Sequence, residues 1–137
     1  DEVSPIFSQR GNSIILDVDE NLTVCGDADK LARVFSNILK NAAAYSYPGT
    51  EIKITAEKSH GLINIGFQNK GDAIPAEKLS ALFDKFYRLD EARMSGTGGT
   101  GLGLAIAKEI VLLHGGSILA SSENDTVTFT IKLPAAD

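Results

Sequence analysis

Gly96-Thr97-Gly98-Gly99-Thr100-Gly101-Leu102-Gly103-Leu104 is the stretch on which the reading of this chain turns, with glycine at five of its nine positions. Ala105-Ile106-Ala107-Lys108-Glu109-Ile110-Val111-Leu112-Leu113 follows directly, with helix-forming composition and an apolar face. A glycine-rich loop that runs into a helix N-terminus presents unpaired backbone N–H groups and the positive end of the macrodipole, and that combination binds phosphate oxygens. The bland alternative is a flexible surface loop, but glycine clusters abutting a helix recur at anion sites. Gly96, Gly98 and Gly101 satisfy the dinucleotide fingerprint literally, and Glu123 lies near the ribose-binding offset. That fingerprint must follow a strand, whereas Asp90-Glu91-Ala92-Arg93-Met94-Ser95 is polar and loop-like. No Gly-Lys-Ser/Thr occurs, which excludes a Walker loop. The metal ligand and the cations of a phosphate site must therefore come from elsewhere in the chain.

The 137 residues have the size of one domain, and 43% hydrophobic with 23% charged residues is enough to bury a core. A net charge of -5 argues against a general nucleic-acid or anionic-membrane binder. Cys25 is the only cysteine, so neither a disulfide framework nor a cysteine metal cluster is available. No apolar run is long enough to span a bilayer, and the chain opens at Asp1 in the manner of a piece of something longer.

Working outward from the glycine loop, Val3, Ile6 and Phe7 suit a short helical turn. Ile14-Ile15-Leu16-Asp17-Val18 and Leu22-Thr23-Val24-Cys25 flank Asp19-Glu20-Asn21, which predicts a hairpin. Asp27 is placed to cap a helix in which Leu31, Val34, Phe35, Ile38, Leu39 and Ala42 repeat at helical spacing. Asn37 and Asn41 stand one turn apart off that stripe. They are either solvated surface amides or a pair aimed at a ligand or metal, since amide oxygens suit Mg²⁺. Tyr47-Pro48-Gly49 is a turn, and the segments 51–58 and 62–69 form a hairpin about His60-Gly61. Pro75 opens a short helix through Leu79, Leu82 and Phe83, with Phe83 and Phe86 read as core. The segment from Tyr87 to Gly98 lacks periodicity and reads as a mobile lid. The helix after the glycine loop is expected to turn Leu102, Ala105, Ile106, Ile110 and Leu113 inward, with His114 and Gly115 closing it as structural residues. A last hairpin joins 117–122 to 126–133 around Glu123-Asn124-Asp125.

Four landmarks stand in a fixed order: Asn37-Ile38-Leu39-Lys40-Asn41-Ala42, Asn69-Lys70-Gly71-Asp72-Ala73-Ile74-Pro75, Leu82-Phe83-Asp84-Lys85-Phe86-Tyr87-Arg88 and Gly98-Gly99-Thr100-Gly101-Leu102-Gly103-Leu104. Together they resemble the N, G1, F and G2 boxes of the ATP-binding catalytic domain of sensor histidine kinases, over nearly the whole chain. In appearance the chain is most similar to the vancomycin-resistance sensor type.

The resemblance implies an α+β two-layer sandwich, the Bergerat ATP-binding fold shared with type II topoisomerases and Hsp90, with a mixed, largely antiparallel sheet packed on three helices. It implies that residues 1–137 are one catalytic domain that binds ATP with Mg²⁺ and donates the γ-phosphate to a histidine on a separate dimerisation domain, for onward transfer to a response regulator. The parent would be a homodimeric bacterial membrane sensor with this portion in the cytoplasm, the fragment itself monomeric, and no nucleic acid involved. By the same resemblance Asn41 ligates Mg²⁺, Asn37 sits beside the triphosphate, and Tyr45 flanks the nucleotide. Asn69 reads the adenine amino group, with Gly71 and Ile74 beside it, and Arg88 reaches the γ-phosphate. Gly99, Thr100, Gly101, Leu102, Gly103 and Leu104 form the phosphate loop. Two positions depart from the family pattern. The usual Asp-x-Gly-x-Gly is here Asn69-x-Gly71-x-Ala73, and Ala44 stands where Lys or Arg often follows the metal-binding Asn, leaving Lys40 as a substitute. A serine kinase acting on an anti-anti-sigma partner has a similar box order, and a non-catalytic nucleotide-sensing or docking module is the reading from a different class.

Overall fold

The computed structural model describes residues 11–19, 21–85, 87 and 102–136. Strand β1 (Ser13–Val18) leads to helix α1 (Ala28–Tyr45), and strands β2 (Glu51–Ser59) and β3 (Leu62–Lys70) follow. A short helix α2 (Ala76–Leu79) continues as a 3₁₀ turn (Ser80–Phe83). Helix α3 (Gly103–Leu113) precedes strands β4 (Ser117–Glu123) and β5 (Thr126–Pro134). The strands make one five-stranded sheet in the order β1-β2-β3-β5-β4, and the helices cover one face of it, giving an α+β two-layer sandwich.

The two tight hairpins form where their turn residues demand. His60 and Gly61 have φ of 55° and 77°, and Asn124 and Asp125 have φ of 53° and 57°. Positive φ at both central residues is what a two-residue type I′ turn requires, and its twist matches that of the flanking strands. The second turn is thus tighter than the three-residue one expected, because Glu123 belongs to β4. Along β5 burial alternates strictly, with Val127, Phe129, Ile131 and Leu133 facing the helices. Ile63 and Phe67 of β3 and Ile118 of β4 complete the buried sheet face.

The hairpin predicted between residues 14–18 and 22–25 is not formed. β1 instead pairs in parallel with β2, from Ser13 opposite Glu51 to Val18 opposite Ala56. Val24 makes a single bridge to Ala135 near the end of the chain, and Thr23 O accepts from Ala136 N at 2.9 Å. The physical reason is the crossover. A parallel neighbour needs a long return path, and α1 supplies it while burying its own stripe on the sheet.

That stripe is the expected one. Leu31, Val34, Ile38 and Ala42 are buried, with Phe35 and Leu39 partly so. Asp27 caps the helix by accepting from Lys30 N at 3.1 Å. Phe35 stacks obliquely on Phe67, with ring centroids 6.0 Å apart. Phe83 meets Phe129 edge-on at 6.1 Å and lies under the Lys108 ammonium at 5.7 Å, which joins the 3₁₀ turn to both sheet and α3.

The inward face of α3 differs from the one expected. Leu104, Ala105, Ala107, Ile110 and Val111 are buried, whereas Leu113 is 73% exposed. The helix is apolar nearly all round, so its pattern alone leaves the rotational phase open, and packing against α1 and β4 sets it. Its end is as expected: Gly115, with φ of 76°, takes the left-handed position after the last turn.

Candidate functional site

A pocket opens between the C-terminal half of α1, the end of β3 and the segment that follows it. Asn41 and Tyr45 come from α1, Asn69 from β3, and Asp72, Ala73, Ile74 and Pro75 from the connecting loop. Lys78, Leu82 and Val127 close it. Asn41 and Tyr45 are one helical turn apart and so point the same way, and Asn37 continues the row by one more turn. Asn37 lies outside the pocket lining. Its Nδ2 donates to the carbonyl oxygen of Gly103 at 3.0 Å, which binds α1 to the first residue of α3. The row Asn37, Asn41, Tyr45 therefore runs for about 12 Å along α1 from the exit of the glycine loop to the pocket.

The floor of the pocket depends on a close backbone passage. Ser46 bridges Gly71, Tyr47 N donates to Lys70 O at 2.8 Å, and Gly71 N donates to Asp125 O at 3.0 Å. A Cβ at position 71 would lie 2.6 Å from the carbonyl oxygen of Tyr45 and 3.2 Å from Asn69 Nδ2. Only glycine fits there without moving backbone. The loop beyond is held at two points. Ile74 N donates to Ser122 Oγ at 2.9 Å, and the Tyr47 hydroxyl donates to Asp72 Oδ1 at 2.9 Å.

Asn69 is the chemically telling residue. The residue is 3% exposed and lines the pocket, and its side-chain amide makes no hydrogen bond to another described residue. Buried amides are satisfied as a rule, and this one lines the pocket, where a ligand can pair with it. The apolar walls around it, Ile74, Leu82 and Val127, suit a flat ring.

Of the residues anticipated from sequence, Asn41, Tyr45, Asn69 and Ile74 converge on the pocket, and Gly71 shapes its floor. Asn37 of α1 reaches Gly103, and Leu102, Gly103 and Leu104 form the start of α3, where Ile106 N donates to Leu102 O at 2.9 Å and Leu104 is buried in the core. Arg88, Gly99, Thr100 and Gly101 fall outside the described residues, as do the expected lid beyond Tyr87, Phe86 and the turn at Val3, Ile6 and Phe7. Ala44 is buried, and the lysine that lines the pocket is Lys78 rather than Lys40. Sequence reading missed Lys78 and Asp72; their one signal was proximity to Pro75. Among the described residues no group of three or more His, Cys, Asp or Glu could hold a metal ion. A site built on an amide oxygen and ligand phosphates fits what is present, because Mg²⁺ commonly takes one or two protein oxygens and fills the rest with phosphate and water.

The fold and the pocket define a nucleotide-binding domain in which the pocket is joined by one helix to the start of α3. Residues 26–137 match the family described as histidine kinase-, DNA gyrase B- and HSP90-like ATPase, and the chain belongs to that family. Its relatives are sensor histidine kinases. The sensor protein VanS of Enterococcus faecium is 56% identical over 98% of this chain and 35% of that protein. Sensor protein VanSC of Enterococcus gallinarum is 41% identical over 97% of this chain and 37% of that protein. The chain thus spans about a third of the length of these relatives. Among solved structures, the mycobacterial sensor histidine kinase MprB superposes with a TM-score of 0.82 at 27% identity, covering 97% of this chain and 89% of that one. Within the described residues no helix is long and apolar enough to cross a membrane.

Proposed function

We propose that residues 1–137 form the ATP-binding catalytic domain of a two-component sensor kinase of the vancomycin-resistance type. In this reading the domain binds ATP with Mg²⁺ and presents the γ-phosphate to a histidine on a separate dimerisation domain of the same, membrane-anchored protein. A response regulator then receives the phosphate. The observation that carries the reading is the buried amide of Asn69, without a hydrogen bond to any described residue, at one end of the Asn41–Tyr45 row, with Asn37 tied to the start of α3 at the other.

Asn69 accepts a hydrogen bond from the base, Tyr45 flanks the nucleotide, and Ile74 covers the ring. Asn41 holds Mg²⁺, which when bound neutralises charge on the triphosphate. Asn37 and the residues of the glycine loop (Gly99, Thr100, Gly101, Leu102, Gly103, Leu104) position the phosphates, and Arg88 reaches the transferred group. Lys78, a further cation in the pocket wall, supplies positive charge that Ala44 does not. Phosphoryl transfer of this kind needs positioning and charge stabilisation more than a strong base, and a neutral imidazole is already a nucleophile near pH 7.

Adding a histidine-bearing dimerisation domain in trans, with ATP and Mg²⁺, is the deciding experiment. An acid-labile phosphohistidine on that domain is the expected result. Phosphate on serine of a partner, or no transfer in the presence of bound ATP, would replace the reading with that of a serine kinase or of a sensing module.

A further inference from the structure

We infer that Asn69 leaves the pocket open to two classes of purine nucleotide, those with a 6-amino and those with a 6-oxo group. The inference rests on the nucleotide-binding reading of the pocket and deepens it. A carboxamide offers one acceptor and one donor side by side. Adenine presents a 6-amino donor next to the N1 acceptor, and the amide oxygen and nitrogen match that edge with one bond each. Hypoxanthine presents the mirror arrangement, a 6-oxo acceptor next to an N1–H donor. Turning the amide by half a revolution exchanges its oxygen and nitrogen and matches that second pattern equally well.

What decides whether the amide can turn is its surroundings. The terminal torsion of asparagine is broad and two-fold, so the rotation itself is easy. The Asn69 amide makes no side-chain hydrogen bond to another described residue. Glycine at position 71 spares the amide a methyl contact, since a Cβ there would lie 3.2 Å from Nδ2. The nearby acid of the pocket, Asp72, accepts from the Tyr47 hydroxyl at 2.9 Å. An ionised carboxylate at position 69 would behave differently. It is acceptor-only, so it would welcome a 6-amino group and repel a 6-oxo oxygen. The amide at 69 thus sets base selectivity by being able to serve both patterns.

Calorimetric titration of the chain with ATP·Mg²⁺ and with ITP·Mg²⁺ tests this, on the unaltered protein and on Asn69→Asp. The unaltered chain is expected to bind the two nucleotides within about tenfold of each other, and Asn69→Asp to favour ATP by more than about tenfold, the discrimination that one mispaired bidentate edge provides. A preference for ATP above tenfold in the unaltered chain overturns the inference, and so does a ratio that Asn69→Asp leaves unchanged. If Asn69→Asp does not fold, the ratio measured on the unaltered chain decides alone. ATP binding without ITP binding leaves the nucleotide reading standing and removes only this inference. Binding of neither removes both.

Discussion

Asn41 and Asn69 bring the same functional group to the pocket from different backbones, and that difference governs what each can do. Asn41 projects from a helix at a half-buried position, so replacing it with Ala favours the helix and spares the fold. We expect Asn41→Ala to weaken Mg²⁺-dependent ATP binding at least about tenfold, because a hard oxygen ligand is lost. Titration in the presence and absence of Mg²⁺ checks this, and equal Mg²⁺-dependent affinity in a folded variant would remove Asn41 as the ligand. Gly71 is sensitive for a steric reason. In Gly71→Ala the new methyl meets the Tyr45 carbonyl at 2.6 Å, so the end of β3 must part from the end of α1. A loss of about 1–3 kcal/mol in urea unfolding is expected from such overpacking, with weakened nucleotide binding. An unchanged unfolding midpoint would show that the passage relaxes without strain. At this scale the sequence exposed the amides and glycines, because they break the helical and strand patterns around them. It did not expose Lys78 or Asp72, whose place in the wall follows from how the segment after β3 folds back over the pocket.

Elements were legible in proportion to the contrast between their faces. α1 has a narrow apolar stripe and a capping Asp27, so both its phase and its start could be read directly. α3 has Ile, Leu, Val and Ala on most sides, and its phase followed from packing on α1 instead. The two hairpins were legible from His60-Gly61 and from the polar Glu123-Asn124-Asp125, although Glu123 proved to belong to β4, whereas β1 carries no mark of its partner. His114 shows how far apart in sequence two helix ends can be joined. Its Nε2 accepts from the backbone N–H of Asp27 at 3.1 Å, which leaves Nδ1 to donate to Ile110 O at 2.8 Å. The start of α1 is thus locked to the finish of α3, while Asn37 and Gly103 lock the two helices near the glycine loop. Removing the imidazole in His114→Ala takes a partner from both backbone groups and should cost about 1–2 kcal/mol of stability. Chemical denaturation measures it, and an unaltered midpoint would mean that water replaces the ring without loss.

For the molecule as a whole, the same contacts argue against His114 as a phosphate acceptor. Both ring nitrogens of His114 are engaged, and His60 sits in a hairpin turn with Nδ1 at 2.8 Å from Ser59 Oγ. The amide of Asn37 cannot act as a general base toward water. The isolated chain is therefore expected to hold ATP, to hydrolyse it slowly, and to gain no phosphate at His60 or His114. Rapid release of ADP, or stable phosphate on either residue, would contradict that assignment. The strand order β1-β2-β3-β5-β4 places the two tight hairpins side by side, and the Asn69–Val127 pair lies on the seam between them. Each hairpin closes locally and quickly, whereas their junction must wait for a long loop containing α2 and α3 to be drawn in. The pocket exists only after that slow event, since Asn69 and Val127 come from opposite sides of the seam. A nucleotide that lodges there therefore acts as a late latch on the folding pathway: it should lower the unfolding rate constant and leave the refolding rate constant unchanged.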